Sequence, residues 1–327
     1  MAKIDTSVIV SSRIRLARNI EGYLFPVLLK NTKEEKFLVS MVTSLFSRLG
    51  EYDVLNMNNL SQTKVDSLIE RYLISPVLAK NLQGAVCISG DKSLSVMVME
   101  EDHLREQCFV NGLDLVGAYK KIMGLDQFLA RNVRFCKKGN VYLTACPSNL
   151  GSGMRASVMM FLPALCYTGE IDYVFELAQT KNITIRGAFG EGSQAEGFWF
   201  QVSNGITLLA PQDILQLVND FSLTVVNLEK RARDELFETH KDEFIDKCLR
   251  AYGILQNSYL LSYEECCQLI ARVKLGNSLG FLPLKNPNAL DDLLVTVRPN
   301  TLKLVKGDQR DEYLVRAEYV KEAFKII

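Results

Sequence analysis

Histidine is nearly missing from this chain, with only His103 and His240, and its eight cysteines follow no metal-ligand spacing. The Cys and His quartets that build a zinc site are excluded by that spacing. The adjacent pair Cys266-Cys267 does not suit an ordinary disulfide framework, so a reduced, cytoplasmic setting is expected. Neither charge is in surplus, since 38 Lys and Arg balance 38 Asp and Glu. No global field then draws the chain to nucleic acid or anionic lipid, and any cationic site must be local. No hydrophobic run approaches a membrane span, and the opening Met-Ala-Lys-Ile-Asp carries no apolar signal region. No Gly-Lys-Ser or Gly-Lys-Thr closes a phosphate loop of the Walker type. Internal repeats and low-complexity tracts are also absent.

What the chain does have is apolar mass and arginines in exposed-sounding places. With 327 residues, 48% hydrophobic and 23% charged, it can bury a large core and is expected to form two domains. Its central stretch is Cys146-Pro-Ser-Asn-Leu-Gly-Ser-Gly-Met-Arg155. β-formers over 140–145 precede it and an apolar run over 156–165 follows, which predicts strand, glycine-bearing loop and buried helix. A helix start is positive and carries free N–H groups, so phosphate is welcome there, and Arg155 at that end would need an anion to offset the repulsion. The same field would favour the thiolate of Cys146. A structural loop with a buried cysteine is the alternative.

The run Ser-Val-Ile-Val-Ser-Ser-Arg-Ile-Arg-Leu over 7–16 alternates as a strand, placing Arg13 and Arg15 on one face and Ile14 and Leu16 on the other. Two guanidinium forks side by side form an anion claw, unless this is a solvated basic edge strand. Helices are predicted over 33–48 and 63–73, and strands over 85–89 and 93–99. The second strand ends in Glu100-Glu-Asp-His-Leu-Arg105, either a charged turn or the kind of strand end where sheet enzymes keep their chemistry. A helix over 110–130 broken at Gly124, a helix over 169–179 and a short strand over 183–186 follow. The next loop carries Arg186 and Glu191 among Gly187, Gly190, Gly192 and Gly197, permitting close approach to a ligand or a closing lid. A strand over 198–203 leads to Asn204-Gly205, which predicts a hairpin into 206–209.

Pro211 opens a helix, and from there strand patterns nearly vanish. Helices are predicted over 229–255, 262–275 and 308–324, with Ser262 and Glu265 as a capping box and Gly276 as a stop. The expected boundary lies near residue 233. A domain over 1–233 is followed by a smaller, all-helical one over 234–327.

Taken together, separate strand ends and loops present arginines (Arg13, Arg15, Arg105, Arg155, Arg186), carboxylates (Glu101, Glu191) and a cysteine. Such forks suit the phosphates of a nucleoside triphosphate, because phosphoryl transfer is mostly positioning and charge stabilisation. The carboxylates must serve something else, and a cationic acceptor would suit them. A guanidinium could be held bidentately by one acid and lose its proton to the other as its nitrogen attacks phosphorus. With a pKa above about 12 it is a poor nucleophile until that proton leaves.

At these residues the chain resembles the ATP:guanido phosphotransferases, the family of arginine and creatine kinases. The matching motifs, in order over roughly 7–230, are Ser11-Ser-Arg-Ile-Arg-Leu-Ala-Arg18, Glu100-Glu-Asp-His-Leu-Arg105, Cys146-Pro-Ser-Asn-Leu-Gly151 and Arg186-Gly-Ala-Phe-Gly-Glu191. The resemblance implies an α/β chain of the α+β type, with an antiparallel sheet flanked by helices. It implies Glu101 as catalytic base, Glu191 as its partner on the guanidinium and Cys146 as the thiolate beside the acceptor. Nucleotide contacts would fall on Ser11, Ser12, Arg13, Ile14 and Arg15, on Tyr72 and Arg105, on Arg155, Ala156, Ser157, Val158 and Met159, and on Arg186, Gly187, Ala188, Phe189, Gly190 and Glu191. ATP is implied, with Mg²⁺ held through the nucleotide and no protein metal site.

The first motif begins near residue 8, so the leading helical domain of the small-molecule kinases is expected to be absent, and a trailing one is added. That layout resembles the bacterial protein arginine kinases. It implies phosphorylation of arginine side chains, marking for Clp-type proteolysis, a zinc-containing activator protein and a homodimer. Two other readings keep some of the same motifs: a kinase of free arginine or another small guanidine, and a weakly active adaptor that binds phosphoarginine. The chain departs from the family at three places. Tyr72 stands in the segment where a nucleotide-contacting His is usual, Met99 replaces an Asn, and Arg310-Asp311 and Arg316-Ala317 are two residues farther apart than in the motif that binds phosphoarginine allosterically in relatives.

Overall fold

The computed structural model describes residues 7–187, 196–307 and 310–327. Its strands are β1 (Ile9–Arg18), β2 (Tyr52–Asn56), β3 (Ala85–Ser89), β4 (Leu94–Val98), β5 (Leu104–Asn111), β6 (Lys137–Lys138), β7 (Val141–Tyr142), β8 (Met154–Phe161), β9 (Ile183–Gly187) and β10 (Trp199–Asn204). Its helices are α1 (Pro26–Leu29), α2 (Lys33–Leu49), α3 (Gln62–Glu70), α4 (Pro76–Ala79), α5 (Leu115–Asn132), α6 (Pro163–Thr168), α7 (Ile171–Thr180), α8 (Pro211–Asn257), α9 (Tyr263–Ser278), α10 (Ala289–Thr296), α11 (Pro299–Lys306) and α12 (Glu312–Ala323). The chain forms two compact units, each discontinuous in sequence. The first is Ser11–Val158 with Ser203–Asn219, and the second is Met1–Val10, Met159–Val202 and Asp220–Ile327.

In the first unit the strands lie in the order β2-β3-β4-β5-β1-β8, and β2, β3, β4, β5 and β1 pair antiparallel. Local chemistry sets the helices around them. Thr32 caps α2 by accepting the Glu35 N–H, and Gly50 ends it in the left-handed region; Ser61 caps α3 through the Lys64 N–H. Val65 and Leu68 of α3, with Leu78 of α4, bury one sheet face against Val86, Ile88 and Met97. Each such side chain removed from water contributes about 1.5–3 kcal/mol. Met97 stands opposite Arg105 and Arg105 opposite Ala17. Cross-strand partners share a face, so beyond the cover of α3 and α4 this same face carries Arg105, Arg13 and Arg15. α5 covers the opposite face, where Arg18 reaches Asp126 at 2.7 Å.

The second unit packs helices on the remaining strand ends. Phe161 of β8 and Trp199 of β10 meet with ring centroids 4.8 Å apart. Glu229 of α8 accepts the N–H groups of Ala164 and Leu165, both at 3.1 Å, and is held by Arg233. Arg233 also binds Ser7 through its hydroxyl and its carbonyl. α8 is interrupted at His240, whose φ of −131° and ψ of 28° are not helical. Ser262 caps α9 by accepting the Glu265 N–H, as the capping box predicts.

Several sequence expectations are corrected. The run after Met154 is not a helix but strand β8, with α6 starting only at Pro163; a fully buried strand and a buried helix present the same unbroken apolar run. Arg155 therefore sits on a strand, and Cys146 precedes a single 3-10 turn at Pro147–Asn149. The helix-dipole argument for both residues falls away. The segment 110–111 belongs to β5, α5 starts after Asp114, and Gly124 lies inside α5 without breaking it. No strand follows Asn204-Gly205, because the Asn204 side chain bonds the carbonyls of Met154 and Ile206 and the N–H of Ala156. Gly276 lies within α9, and α12 starts only after Asp311.

Candidate active site

Four of the expected arginines gather in the first unit. Arg13 and Arg15 alternate with buried Ile14 on β1, Arg105 lies on β5 and Arg155 on β8. The Arg13 guanidinium lies over the ring of its cross-strand partner Phe109, 5.5 Å from the centroid. Burial, then the charges of Arg105 and Arg155, lower Arg13 to about 10, with Tyr72 opposing. Burial, then Arg13, Arg105 and Arg155, hold Arg15 well below its ordinary value, with Glu100 opposing. The Nε atoms of Arg13 and Arg15 are buried without a hydrogen-bond partner among the described residues. Crowded like charges and orphaned donors both lose free energy unless an anion arrives. A polyphosphate fits that demand, since charge-assisted N–H···O bonds would satisfy each fork.

Tyr72 stands beside the cluster in the left-handed region, φ 59°. Gln107 of β5 fixes that segment by donating to the carbonyls of Tyr72 (2.8 Å) and Leu73 (3.0 Å).

The acidic turn adjoins the arginines. Met99, with φ 62°, donates its N–H to the carbonyl of His103 at 2.9 Å and reverses the chain between β4 and β5. Glu100 points inward. Its carboxylate accepts from Arg105, from the Ser75 hydroxyl (2.5 Å) and from the Glu101 N–H (2.7 Å). Glu101 is exposed at the lip. Burial first, then the charges of Glu100 and Asp102, raise its carboxyl above the ordinary range, opposed by Arg105 and by a hydrogen bond from Cys146. A raised carboxyl is a stronger base at neutral pH.

Neighbouring side chains hold the segments of Glu101 and Cys146 together. Asp102 Oδ1 accepts from the Ala145 N–H (2.7 Å), one residue before the cysteine, and from Asn19 Nδ2 (2.6 Å). Asn19 also donates to the Leu143 carbonyl (3.0 Å) and accepts the His103 N–H (2.9 Å). His103 Nδ1 accepts from the Ile20 N–H (3.0 Å), which leaves Nε2 to donate to the Leu24 carbonyl (2.9 Å). Burial lowers His103 to about 4, so this ring is a neutral strut. The Cys146 sulfur lies 3.0 Å from the Ser148 hydroxyl. The loop's glycines serve close packing: a Cβ on Gly151 (φ 112°) would stand 2.5 Å from the Thr207 carbonyl oxygen.

Other expected residues are placed differently. Ser12 is buried, donating to the Gly112 carbonyl and accepting from the Asp114 N–H. Ile14, Ala156 and Val158 are buried, while Ser11 and Met159 are half-buried. Ser157 donates to the Arg13 carbonyl at 3.4 Å, and Arg155 Nε donates to Ser203 at 3.3 Å. Arg186 is exposed on β9 in the second unit, with Gly187 closing that strand. Ala188, Phe189, Gly190 and Glu191 lie outside the described residues.

In the trailing helices Arg310 precedes α12 and pairs with both oxygens of Glu318, while Asp311 caps α12. Arg316 is fully buried, donating to the carbonyls of Val297 and Leu261 and to Glu312, and Ala317 is buried beside it. Sequence reasoning gave no task to Glu100, Asp102 or Asn19. The acidic run made the first two visible, but nothing local signals what they hold. Among the described residues, no group of three or more His, Cys, Asp or Glu could hold a metal ion, and no helix is long and apolar enough to cross a membrane.

Comparison with known proteins agrees with this geometry. Residues 33–232 match the family model "ATP:guanido phosphotransferase, C-terminal catalytic domain", and 241–327 match "Protein-arginine kinase McsB C-terminal domain". The chain is 38% identical to a protein-arginine kinase of Syntrophomonas wolfei, over 97% of this chain and 92% of that one. It is 36% identical to one of a Geobacillus species, over 98% and 92%. Among solved structures it is similar to a taurocyamine kinase of Schistosoma mansoni, with TM-score 0.60, 23% identity and coverage of 70% of this chain and 34% of that one. A lombricine kinase gives TM-score 0.60 and 21% identity over 70% and 68%. With a family model covering most of its length and relatives matched nearly end to end, the chain belongs to the protein-arginine kinases of the ATP:guanido phosphotransferase family.

Proposed function

We propose that this kinase moves the γ-phosphoryl group of ATP to arginine side chains of proteins using Arg13, Arg15, Arg105, Arg155 and Arg186 as phosphate ligands. Glu101 is the base, Glu191 its partner on the acceptor guanidinium, and Cys146 the thiol beside the acceptor. Tyr72 occupies the nucleotide's adenine or ribose side. As the guanidinium nitrogen forms its bond to the γ-phosphorus, its proton passes to the Glu101 carboxylate. The bond from phosphorus to the bridging oxygen breaks, and ADP leaves with that electron pair. The arginine forks stabilise charge on the transferring group, which carries most of the catalysis in such reactions. Mg²⁺ bound to the nucleotide supplies further charge neutralisation.

The transfer chemistry belongs to residues 1–233, and 234–327 to a helical domain for dimerisation, with Arg310, Asp311, Arg316 and Ala317 marking a phosphoarginine-reading position. Cytoplasmic location, delivery of marked proteins to a Clp-type protease and a zinc-containing activator complete the reading. One observation carries it: guanidinium groups that repel one another, two with buried donors that lack a partner among the described residues, adjoin a carboxyl that burial raises above its ordinary value and that a cysteine contacts. The test is incubation with labelled ATP and an unfolded protein. Acid-labile label on arginine is expected, and Glu101→Gln should reduce it at least about a hundredfold. Rapid labelling of free arginine with none on protein would overturn the reading.

A further inference from the structure

We propose that an aliphatic rim formed by Leu24, Val27 and Leu28 is the docking surface for the polypeptide that carries the acceptor arginine. The inference rests on the reading of Glu101 as the acceptor-side base. Leu24 is 58% exposed, Val27 64% and Leu28 65%, with Leu82 at 62%. Single exposed aliphatic residues are ordinary, and three within five positions are a local concentration of apolar surface. The fold builds it outward: Pro26 and Leu29 of α1 are buried, so the residues between them face solvent.

The rim is fastened to the acidic turn. His103, two residues from Glu101, bonds the Ile20 N–H and the Leu24 carbonyl, gripping the start of the rim and the stretch that leads into it. Asn81 donates to the Met99 carbonyl (2.9 Å) and to Glu35 Oε1 (2.8 Å), while Glu35 Oε2 accepts the Asn31 N–H (2.6 Å). The far end of the segment is thus tied to the same turn. An extended chain advances about 3.3–3.6 Å per residue. A polypeptide whose arginine reaches Glu101 therefore carries its flanking residues, a few positions to either side, past the segment that His103 ties to that turn. Its occupant is an unfolded stretch with aliphatic side chains flanking the arginine. A folded protein would keep those side chains inside its own core.

The test compares two short peptides, each of about nine residues with a central arginine, one with leucine and one with serine three positions to either side. Burying one leucine is worth about a factor of ten or more, so the wild-type kcat/KM should favour the leucine peptide about tenfold. In the variant Leu24→Ser, Val27→Ser, Leu28→Ser, all at exposed positions, that preference should fall below about twofold. The rate on the serine peptide and the KM for MgATP should stay unchanged. Equal wild-type rates on the two peptides, or a preference the variant retains, would overturn the docking surface. So would loss of self-association by light scattering in the variant, which would make the rim an interface between copies of the chain. Wild-type protein that labels neither peptides nor proteins would instead sink the reading of the site itself.

Discussion

Replacing Arg15 by methionine separates what the arginine cluster does for folding from what it does for nucleotide. Arg15 is surrounded by Arg13, Arg105 and Arg155, its Nε has no partner among the described residues, and Glu100, whose charge opposes theirs, is already bonded to Arg105. Methionine keeps the unbranched stem and packs adaptably. Exchanging a buried, poorly compensated charge for an apolar side chain of similar volume gains about 1–4 kcal/mol. Taking about 2 kcal/mol, a unit of this size should melt roughly 4–8 °C higher without ligand. Saturating MgATP reverses the order. At about one hundred times Kd, a ligand adds about 2.7 kcal/mol to the protein that binds it, and the variant forfeits most of that. The assay is a pair of thermal melts, with and without MgATP, beside a turnover measurement. A variant that melts lower than wild type without ligand would refute the argument, since the guanidinium would then be a structural partner and not a waiting phosphate ligand.

Three further outcomes are expected. Glu106 is buried with no well-formed hydrogen bond to either carboxylate oxygen among the described residues, and burial first, then the charge of neighbouring Asp126, hold its carboxyl well above the ordinary range, with Arg18 opposing. The folded state thus binds a proton that the unfolded chain releases above about pH 4.3, and stability falls by about 1.4 kcal/mol per pH unit from there to the folded value. Glu106→Gln removes that slope: the two proteins should match near pH 4, with the variant pulling ahead toward pH 7 in urea titrations, whereas a pH-independent difference counts against the buried acid. Asn19→Ala leaves the Asp102 carboxylate and the His103 N–H each short of a partner. It should lower kcat much more than it raises the KM for MgATP, and unchanged kcat well below the melting temperature would show that the Asn19 link does not align Glu101 with Cys146. Gly151→Ala forces a Cβ to 2.5 Å from the Thr207 carbonyl at φ 112° and should cost at least about 2 kcal/mol in chemical denaturation.

The parts of the molecule legible in the sequence are those whose cause is local. Period-two alternation put Arg13 and Arg15 on one face of β1, helical periodicity marked α2, and Ser262 announced a helix start through its cap. β8 was misread because its residues are buried on both faces, which erases the alternation that identifies a strand. The early helix start at 110 failed for a related reason: Val110 and Asn111 pair with Ser12 and Ser11, and a partner about a hundred residues away leaves no local mark. Asn204-Gly205 has hairpin chemistry, but the Asn204 amide is claimed by three backbone groups. In the candidate site, the motifs drew attention to Arg13, Arg15, Arg105 and Arg155, which the sheet gathers. The links Asn19–Asp102–Ala145 and Ser75–Glu100–Arg105 exist only once the sheet register brings distant segments together.

Asp102 has a consequence for anyone who would rebuild this enzyme. One side-chain oxygen anchors both the turn that offers the carboxylate and the loop that offers the thiol, although some forty positions of chain separate them. Neither segment can be transplanted, shortened or exchanged for a homologous one alone without releasing the other. Recombination libraries that cross over between residues 103 and 145 should therefore yield working enzymes only when both parents supply the same clasp.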